Sequence, residues 1–275
     1  MAQQPRYGTH LALIVLCFLL AFPALYALQV ATLDLAAAFA APPRLFPPGS
    51  DLPSNVQTLF DNQHFGALYV NTLVVALVVM VAKTVFSMLA GLAFVYYRFP
   101  GKGILFFAIL LTLLMPTEII LLPLFRLVST LEWGNNYPYL ALTMPFLASA
   151  VGMFLFRQHF MNIPRELAEA AQIDGARPLR FMVSVLLPMS WNVIGAHAII
   201  QFISMWNQYL WPLLLIQQPE EQMIQVGVRN AVISGTQTDF GLLMSAGIVA
   251  SIPPLIVFVL LQKQFMSGFA LTRDK

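Results

Sequence analysis

The sequence predicts an all-α fold: a polytopic bundle of six transmembrane helices within one domain that covers residues 1–275. Two observations lead to this prediction. First, 59% of the 275 residues are hydrophobic and only 9% are charged, whereas about a quarter of a soluble domain is charged. Second, the apolar residues form long continuous runs, unlike the alternating segments of about ten residues that build a membrane barrel. Lipid is therefore the expected solvent of this chain.

Six apolar runs are long enough to cross a bilayer, which takes about 20 mostly apolar residues per helix. They are approximately Leu11–Ala31, Leu68–Tyr97, Gly103–Val128, Tyr137–Phe156, Pro188–Ile216 and Phe240–Gln264. The first run has an alternative interpretation as a signal peptide, because Arg6 precedes it and the triplet Ala38-Phe39-Ala40 follows it. We favour a retained span, since the apolar part of a signal peptide is usually only about 7–15 residues long.

The basic residues orient the spans, because cytoplasmic loops carry the excess of Lys and Arg. If the N-terminus lies in the cytoplasm, only Arg44 and Arg229 fall outside. Ten basic residues then fall inside: Arg6, Arg98, Lys102, Arg157, Arg165, Arg177, Arg180, Lys263, Arg273 and Lys275. We therefore expect a multi-pass protein of the cell membrane (plasma or inner membrane) with both termini in the cytoplasm.

The longest inside loop, between the fourth and fifth spans, predicts two short helices joined by a turn. A helix start is indicated at Asn162–Pro164, because proline is tolerated in a first helical turn. Gly175 is suited to end this helix in the left-handed conformation, and Pro178 is suited to begin the next one. Leu167, Ala170 and Ala171 share one face by their spacing. The pattern fits a docking surface for another protein or an ordinary amphipathic connector.

This loop carries a resemblance to a known family. Glu169-Ala170-Ala171, three residues, Gly175, nine residues, Val185, one residue and Leu187-Pro188 look like the EAA loop of permease subunits of ABC importers. Val185 is the only departure from the pattern, which has isoleucine there. The wider segment Glu166 to Pro188 is similar to the carbohydrate-type, MalG-like permeases of that family.

The resemblance implies the type I importer permease fold, with residues 162–188 as the cytoplasmic coupling helices seated in an ATPase subunit. The implied ATPase-coupling residues are Glu166, Glu169, Ala170, Ala171, Asp174, Gly175, Leu187 and Pro188. It also implies four kinds of partner: a second homologous permease subunit, an ABC ATPase dimer, an extracytoplasmic solute-binding protein and membrane lipid. By analogy, the outer segment Gln217 to Asp239 either contacts the binding protein or is a solvated loop.

Further motifs resemble the subgroup of this family that serves sn-glycerol-3-phosphate importers. They are Tyr97-Arg98-Phe99-Pro100, Met115-Pro116-Thr117-Glu118, Phe156-Arg157-Gln158 and the run from Trp206 to Leu214. The likeness extends from about Asn71 onwards. It implies transport of sn-glycerol-3-phosphate or of glycerophosphodiesters such as glycerophosphocholine. Many sugar permeases share the Trp-Asn motif, so a permease for sugars or oligosaccharides is the alternative.

Polar residues within the predicted spans are candidates for the translocation path, because ionisable groups are costly inside a membrane. Lys83 is suited to attract a phosphate; the alternative is that Lys83 and Glu118 pair with each other or with backbone carbonyls and so fix helix packing. Asn207 and Gln208 are suited to bind hydroxyl groups, with Trp206 or Trp211 as an apolar wall, or to join neighbouring helices. Pro116 and Pro123 predict kinks in the third span.

The sequence predicts no catalytic role and no cofactor bound by this chain. It contains no Gly-x-x-x-x-Gly-Lys-Ser/Thr phosphate loop, so ATP and Mg²⁺ are expected on the partner ATPase. His197 has no second ligand at suitable spacing, so no metal site is expected, and the net charge of +2 gives no basic patch for nucleic acid. An ion-driven carrier and a membrane enzyme are the rival classes; we see neither an internal repeat nor a catalytic cluster for them.

Overall fold

The computed structural model of the chain describes residues 7–38, 46–231 and 239–270, with side chains except at 117, 118, 265 and 267–270. Within these ranges all regular structure is helical. Sixteen α-helices follow in chain order: α1 (Tyr7–Ala31), α2 (Leu35–Ala38), α3 (Leu52–Asn62), α4 (Phe65–Tyr96), α5 (Lys102–Thr112), α6 (Thr117–Thr130), α7 (Trp133–Asn136), α8 (Pro138–Thr143), α9 (Ala150–Met161), α10 (Arg165–Ile173), α11 (Pro178–Phe181), α12 (Leu187–Met189), α13 (Trp191–Trp206), α14 (Leu210–Leu215), α15 (Ile224–Ala231) and α16 (Phe240–Ala270).

Three of these helices are long and apolar enough to cross a membrane alone: α1, α4 and residues Phe240–Gln264 of α16. Two bent pairs raise the number to five if each pair is one span: Pro138–Phe146 with Ala150–Met161, bent by 44°, and Pro178–Met189 with Trp191–Leu215, bent by 84°. The predicted all-α membrane fold is confirmed, but the count of six spans is not confirmed in full.

The third predicted span accounts for the difference in the count. Residues 103–128 form two short helices, α5 and α6, separated at residues 113–116. Pro116 has no N–H to donate, and its backbone is extended (φ −58°, ψ 135°). A proline also disfavours the helical conformation of the residue before it, so the helix ends there. The predicted kink at Pro116 is a complete break, whereas Pro123 lies inside α6.

The described residues divide into two compact units, one within 1–66 and 226–252 and the other within 67–225 and 253–275. In the first unit, side chains of α3 and α16 donate hydrogen bonds to carbonyl oxygens at the end of α1 and just after it. The last carbonyls of a helix have no partner within the helix. The Asn55 amide donates to the carbonyl oxygens of Ala31 (3.0 Å) and Leu33 (3.4 Å). The Ser245 hydroxyl lies 3.4 Å from the same Ala31 oxygen.

The second unit holds the predicted coupling loop and the candidate path residues. Its buried side chains near the loop form one hydrophobic cluster, which we call the inner core: Met88, Leu92, Phe156, Phe160, Ile163, Phe181, Leu186 and Val193. These residues come from α4, α9, the loop itself and α13. The loop is therefore built on a packed base that includes α4, α9 and α13. The single domain over residues 1–275 stays a prediction.

Candidate functional site

The loop between α9 and α13 folds as an elbow of two short helical segments. Its first helix, α10, begins at Arg165 directly after Pro164, whose extended backbone (φ −54°, ψ 132°) precedes the first turn. Glu166 lies in that turn, where the helix dipole favours a carboxylate. The predicted helix start at residues 162–164 is confirmed.

Gly175 makes the turn of the elbow. Its φ is +71°, a left-handed conformation that side-chain-bearing residues rarely adopt. Around it the backbone forms a complete Schellman motif: the Ala176 N–H donates to the Ala171 carbonyl (2.8 Å) and the Gly175 N–H to the Gln172 carbonyl (3.0 Å). The predicted glycine C-cap is confirmed.

The second half of the elbow is less regular than the sequence predicts. It starts as α11 at Pro178, becomes a π-helix over Met182–Leu186 and ends as α12 at Met189. Single π turns of this kind are frequent at functional sites. Pro188 interrupts the hydrogen-bonding series because it lacks an N–H, and the 84° bend into α13 follows at Ser190.

The two alanines of the Glu-Ala-Ala motif face different ways. Ala170 is exposed, whereas Ala171 is half-buried and packs with Ala168 against the inner core. Adjacent residues of an α-helix point about 100° apart, so Ala170 and Ala171 occupy different sides of α10. The expectation that Leu167, Ala170 and Ala171 share one exposed face therefore holds for Leu167 and Ala170 and is wrong for Ala171.

The outward side of the elbow combines charged and apolar residues. Glu166, Glu169, Asp174, Arg165, Arg177 and Arg180 are all exposed. Between them lie uncovered apolar side chains, with Ile173 at 86% and Leu179 at 63% of their full exposure. Apolar patches surrounded by charges mark surfaces that bind other proteins. Leu187 is half-buried against the inner core and Pro188 is exposed.

A second feature is a cavity of about 540 Å³ where two helices are interrupted. Asn207 and Gln208 line it at the break between α13 and α14, and Phe146 lines it near the break before α9. The wall opposite is apolar and comes from α6: Ile120, Leu121 and Leu124. We call this space the break cavity. Broken helices inside a membrane usually line cavities, because the freed backbone groups need polar surroundings.

The break cavity contains some of the predicted path residues but not all of them. The Asn207 side-chain oxygen accepts a hydrogen bond from the Gln225 amide (3.1 Å). Trp206 is fully buried (0% exposed) and packs edge-on against Tyr69, with ring centroids 5.4 Å apart. Trp211 is also buried, and its N–H donates to the Ala141 carbonyl (3.1 Å). Both tryptophans therefore belong to the packed interior, and neither lines the break cavity.

Lys83 lies half-buried in the apolar helix α4. Among the described side chains, none forms a hydrogen bond or an ion pair with its ammonium group. The backbone of Glu118 belongs to α6, but its side chain lies outside the described part of the structure. Pairing of Lys83 with Glu118 therefore stays a prediction.

His197 joins α13 to α4 through a directed chain of hydrogen bonds. The Thr84 hydroxyl donates to the Met80 carbonyl (2.7 Å), so it accepts from His197 Nδ1 (3.1 Å). His197 Nε2 then accepts from the Gln201 amide (3.4 Å). Both ring nitrogens are thus used within the bundle. In the part of the chain that the structure describes, no group of three or more His, Cys, Asp or Glu side chains is placed to hold a metal ion.

The outer segment that follows α14 is held against α4. The Asn71 amide donates to the carbonyl oxygens of Glu220 (2.8 Å) and Gln222 (3.2 Å). Its side-chain oxygen accepts from the Tyr139 hydroxyl (2.6 Å). The Ile224 N–H donates to the Thr72 hydroxyl (2.8 Å). Residues 220–224 are therefore bonded to α4, while residues 217–220 are exposed. Contact with a binding protein and a solvated loop both stay predictions, and residues 232–238 of the predicted segment lie outside the described residues.

Sequence reasoning missed Asn71 and Gln225, which bring the outer segment to the bundle. Neither belongs to a motif; Asn71 lies in the second turn of α4, and Gln225 lies in the first turn of α15. Asn71 gave a weak signal, since an amide within an apolar helix needs a partner. Gln225 gave none, because its partner Asn207 is eighteen residues away along the chain.

Comparison with protein families gives one match, over residues 83–269, to the family described as "Binding-protein-dependent transport system inner membrane component". Curated relatives include the sn-glycerol-3-phosphate transport system permease protein UgpE of Pectobacterium atrosepticum, 38% identical over 267 residues. UgpE of Shigella flexneri is 36% identical over the same length. In both pairs, 94% of each chain is covered.

Solved structures share the architecture. A chain of a bacterial ABC transporter involved in the import of the acidic polysaccharide alginate superposes with a TM-score of 0.81 at 21% identity, covering 96% of this chain and all of that one. A chain of the bacterial alginate transporter in complex with an alginate-pentasaccharide-bound periplasmic protein gives a TM-score of 0.67 at 17% identity, over 93% and 91% of the two chains.

Proposed function

This chain belongs to the family of binding-protein-dependent transport system inner membrane components, and from that premise we propose that it passes sn-glycerol-3-phosphate or glycerophosphodiesters, such as glycerophosphocholine, across the cell membrane. The observation that carries the proposal is the 36–38% identity to UgpE permeases over 94% of both chains. The solved transporters that carry alginate are only 21% and 17% identical, a level that supports the fold but not a sugar cargo.

The elbow is the proposed docking site for the ATPase subunit. Its exposed apolar residues, Leu167, Ile173 and Leu179, lie among charged groups of both signs, which suits a partly polar cleft on a partner. The exposed Glu169 is the proposed partner of a basic group on that subunit. ATP and Mg²⁺ belong to the ATPase in this scheme, so the permease is a non-catalytic subunit.

The complete transporter would contain this chain, a second homologous permease, an ATPase dimer and an extracytoplasmic binding protein. Closure of the ATPase dimer on ATP moves the elbow, and the bundle changes from inward-facing to outward-facing. The binding protein then releases its solute into the outward-facing path, and hydrolysis resets the cycle. Both termini would lie in the cytoplasm with the elbow.

Lys83 and the break cavity are the proposed parts of the path that recognise the cargo. The Lys83 ammonium is half-buried and has no carboxylate partner among the described side chains. Burial removes part of its water shell, and contacts with an anion can replace the lost contacts with water. Phosphate oxygens supply such an anion, and the hydroxyls of a glycerol unit suit the amides of Asn207 and Gln208. Glu118 stays a candidate path residue that this arrangement does not use.

Reconstitution of the four-component transporter tests the function. Proteoliposomes that contain the binding protein on one side and ATP on the other should take up radiolabelled sn-glycerol-3-phosphate. Excess unlabelled glycerophosphocholine should compete, whereas a maltooligosaccharide and an alginate oligosaccharide should not. Uptake of an oligosaccharide, with no uptake of the phosphate ester, would overturn the cargo while leaving the permease role in place.

A further inference from the structure

The elbow is joined to the rest of the bundle along the chain at both of its ends, to α9 through residues 162–164 and to α13, and also across a packed contact with α4. The connection to α13 is the irregular one. It passes through the π-helix Met182–Leu186, then Pro188, and then the 84° bend at Ser190. Each of these features interrupts the regular hydrogen bonding that makes a helix stiff. A displacement of the elbow is therefore poorly transmitted along this route.

The route across the bundle leads from the elbow to α4. Phe181, at the end of α11, is buried and packs edge-on against Tyr96, with ring centroids 5.2 Å apart and the rings at 81°. Perpendicular aromatic pairs at this distance are favourable beyond their buried area. Tyr96 is the last residue of α4, so this contact lies at the end of a continuous helix of 32 residues.

The first half of the elbow packs against the inner core through Ala168 and Ala171, but it leaves a space beside α4. Between them lies a small cavity of about 130 Å³, lined on the elbow side by Ala168, Ala171 and Ala176. Its other walls include Leu92, Tyr97, and Tyr96 and Phe181 themselves. Protein interiors hold few voids larger than a water molecule, so α10 has room to shift here. At one side of this space, the Tyr96–Phe181 ring pair forms a direct contact between the elbow and α4.

The helix α4 does not move alone. At Gly91 its backbone is so close to α9 that an added Cβ would lie 2.8 Å from the Cβ of Phe156. Met88 and Leu92 share the inner core with Phe156 and Phe160 of α9. Whatever displaces the cytoplasmic end of α4 therefore displaces α9 as well. Lys83 lies on α4 about 20 Å from Tyr96 along the helix axis, at 1.5 Å per residue.

We infer that Tyr96 is a positioning residue for energy coupling: through Phe181 it joins the elbow to α4, so that displacement of the elbow by the ATPase moves α4, and with it Lys83. This inference rests on the proposed function, because it assumes that an ATPase moves the elbow. According to this inference, α4, the second predicted span, moves during transport, in addition to the fifth predicted span, which adjoins the elbow along the chain.

The test uses the complete transporter in proteoliposomes and three changes at one position. Tyr96→Leu keeps apolar volume but removes the ring, Tyr96→Ala removes both, and Tyr96→Phe keeps the ring contact. We expect uptake per ATP hydrolysed to fall by up to about tenfold in Tyr96→Leu, the factor that the loss of one aromatic pair allows. Tyr96→Ala should fall at least as far, whereas Tyr96→Phe and the neighbouring change Tyr97→Ala should keep the wild-type ratio.

A reporter on α4 separates loss of coupling from loss of structure. Cys17 is the only cysteine of the chain, so Cys17→Ser gives a background for Val81→Cys, whose parent side chain is exposed on α4. ATP should change the rate of maleimide labelling at this site in the wild-type and Tyr96→Phe backgrounds but not in Tyr96→Leu. An equal response in all three backgrounds would overturn the inference. Absence of ATP-driven uptake by the unmodified transporter would instead overturn the proposed function.

Discussion

At the scale of single residues, the most constrained positions are those whose backbone or hydrogen bonds admit few alternatives. Gly175 holds a φ of +71° and closes the Schellman motif of the elbow. Asn71 uses both ends of its amide, donating to two backbone carbonyls and accepting from a phenol. The first residue sets the angle of the elbow, and the second holds the outer segment against α4.

A bulky residue at position 175 should uncouple the transporter. Gly175→Val places a β-branched residue in the left-handed region, which costs a residue roughly 1–2 kcal/mol, so the elbow would adopt another angle. We expect ATP hydrolysis by the reconstituted transporter to continue while uptake is lost. Gly175→Asn is the control, because asparagine tolerates this conformation, and it should keep most of the uptake. Equal uptake in both variants would contradict a role for the turn geometry.

Replacement of Asn71 should destabilise the chain itself. Asn71→Leu leaves two backbone carbonyls and the Tyr139 hydroxyl without their partner. Of these bonds, the one to the Gln222 carbonyl is buried, and a buried group left unpaired costs about 1–3 kcal/mol. Thermal unfolding of the detergent-solubilised protein measures this as a lower midpoint. Asn62→Leu, a change of the same type at an exposed position, should leave the midpoint close to that of the wild type.

At the scale of the helices, some positions are tightly packed against a neighbouring helix and others have open space beside them. The approach of α4 to α9 at Gly91 leaves no space for a side chain, whereas Gly247 of α16 has no described atom within 4 Å of an added Cβ. An added side chain would therefore clash at Gly91 but not at Gly247, although each glycine lies inside a long helix.

Alanine substitutions at these glycines should change stability in opposite directions. Gly91→Ala must push α4 away from Phe156 and the adjoining backbone, so the unfolding midpoint should fall. Gly247→Ala meets no neighbour and gains helix propensity, worth about 0.5–1 kcal/mol, so its midpoint should stay or rise. Parallel thermal scans of the two variants check the prediction. A fall of similar size in both would show that Gly91 has no special packing role.

The helices and the elbow could be predicted because their signals are local. Pro164, Gly175 and Pro178 act on the backbone of their own turn, and a continuous apolar run needs no partner to be recognised. The break at Pro116 was predicted only as a kink, since whether a proline bends or ends a helix depends on its neighbours. The burial of Trp206 and the inward orientation of Ala171 depend on α4, which is distant along the chain. Such tertiary contacts leave no periodic signal.

At the scale of the whole molecule, the orientation of the spans determines on which side of the membrane the elbow and the outer segment lie. The family assignment places the chain in a membrane, and the distribution of Lys and Arg predicts which side is cytoplasmic. The two most useful positions for a test are Ile173, almost fully exposed on the elbow, and Gln217, exposed after α14.

Labelling with a membrane-impermeant maleimide tests this topology. In the Cys17→Ser background, Ile173→Cys should react in inside-out vesicles and remain unlabelled in spheroplasts, because the elbow is predicted to face the cytoplasm. Gln217→Cys should give the reverse pattern. The unsubstituted Cys17→Ser chain controls for labelling elsewhere. Reaction of Ile173→Cys in intact spheroplasts would invert the topology and remove the elbow from the reach of a cytoplasmic ATPase.

The break cavity has a consequence for how such a chain can change its cargo. Helix ends present main-chain carbonyl and N–H groups, and no amino-acid replacement deletes these groups as it deletes a side chain. The interruption of the two helices beside this space is thus a property of the backbone, although the N–H groups of Asn207 and Gln208 are bonded to the carbonyls of Ile203 and Met205. In the role proposed for this space, replacements at Asn207 and Gln208 would change which molecule is preferred while the helix breaks that frame the cavity stay the same.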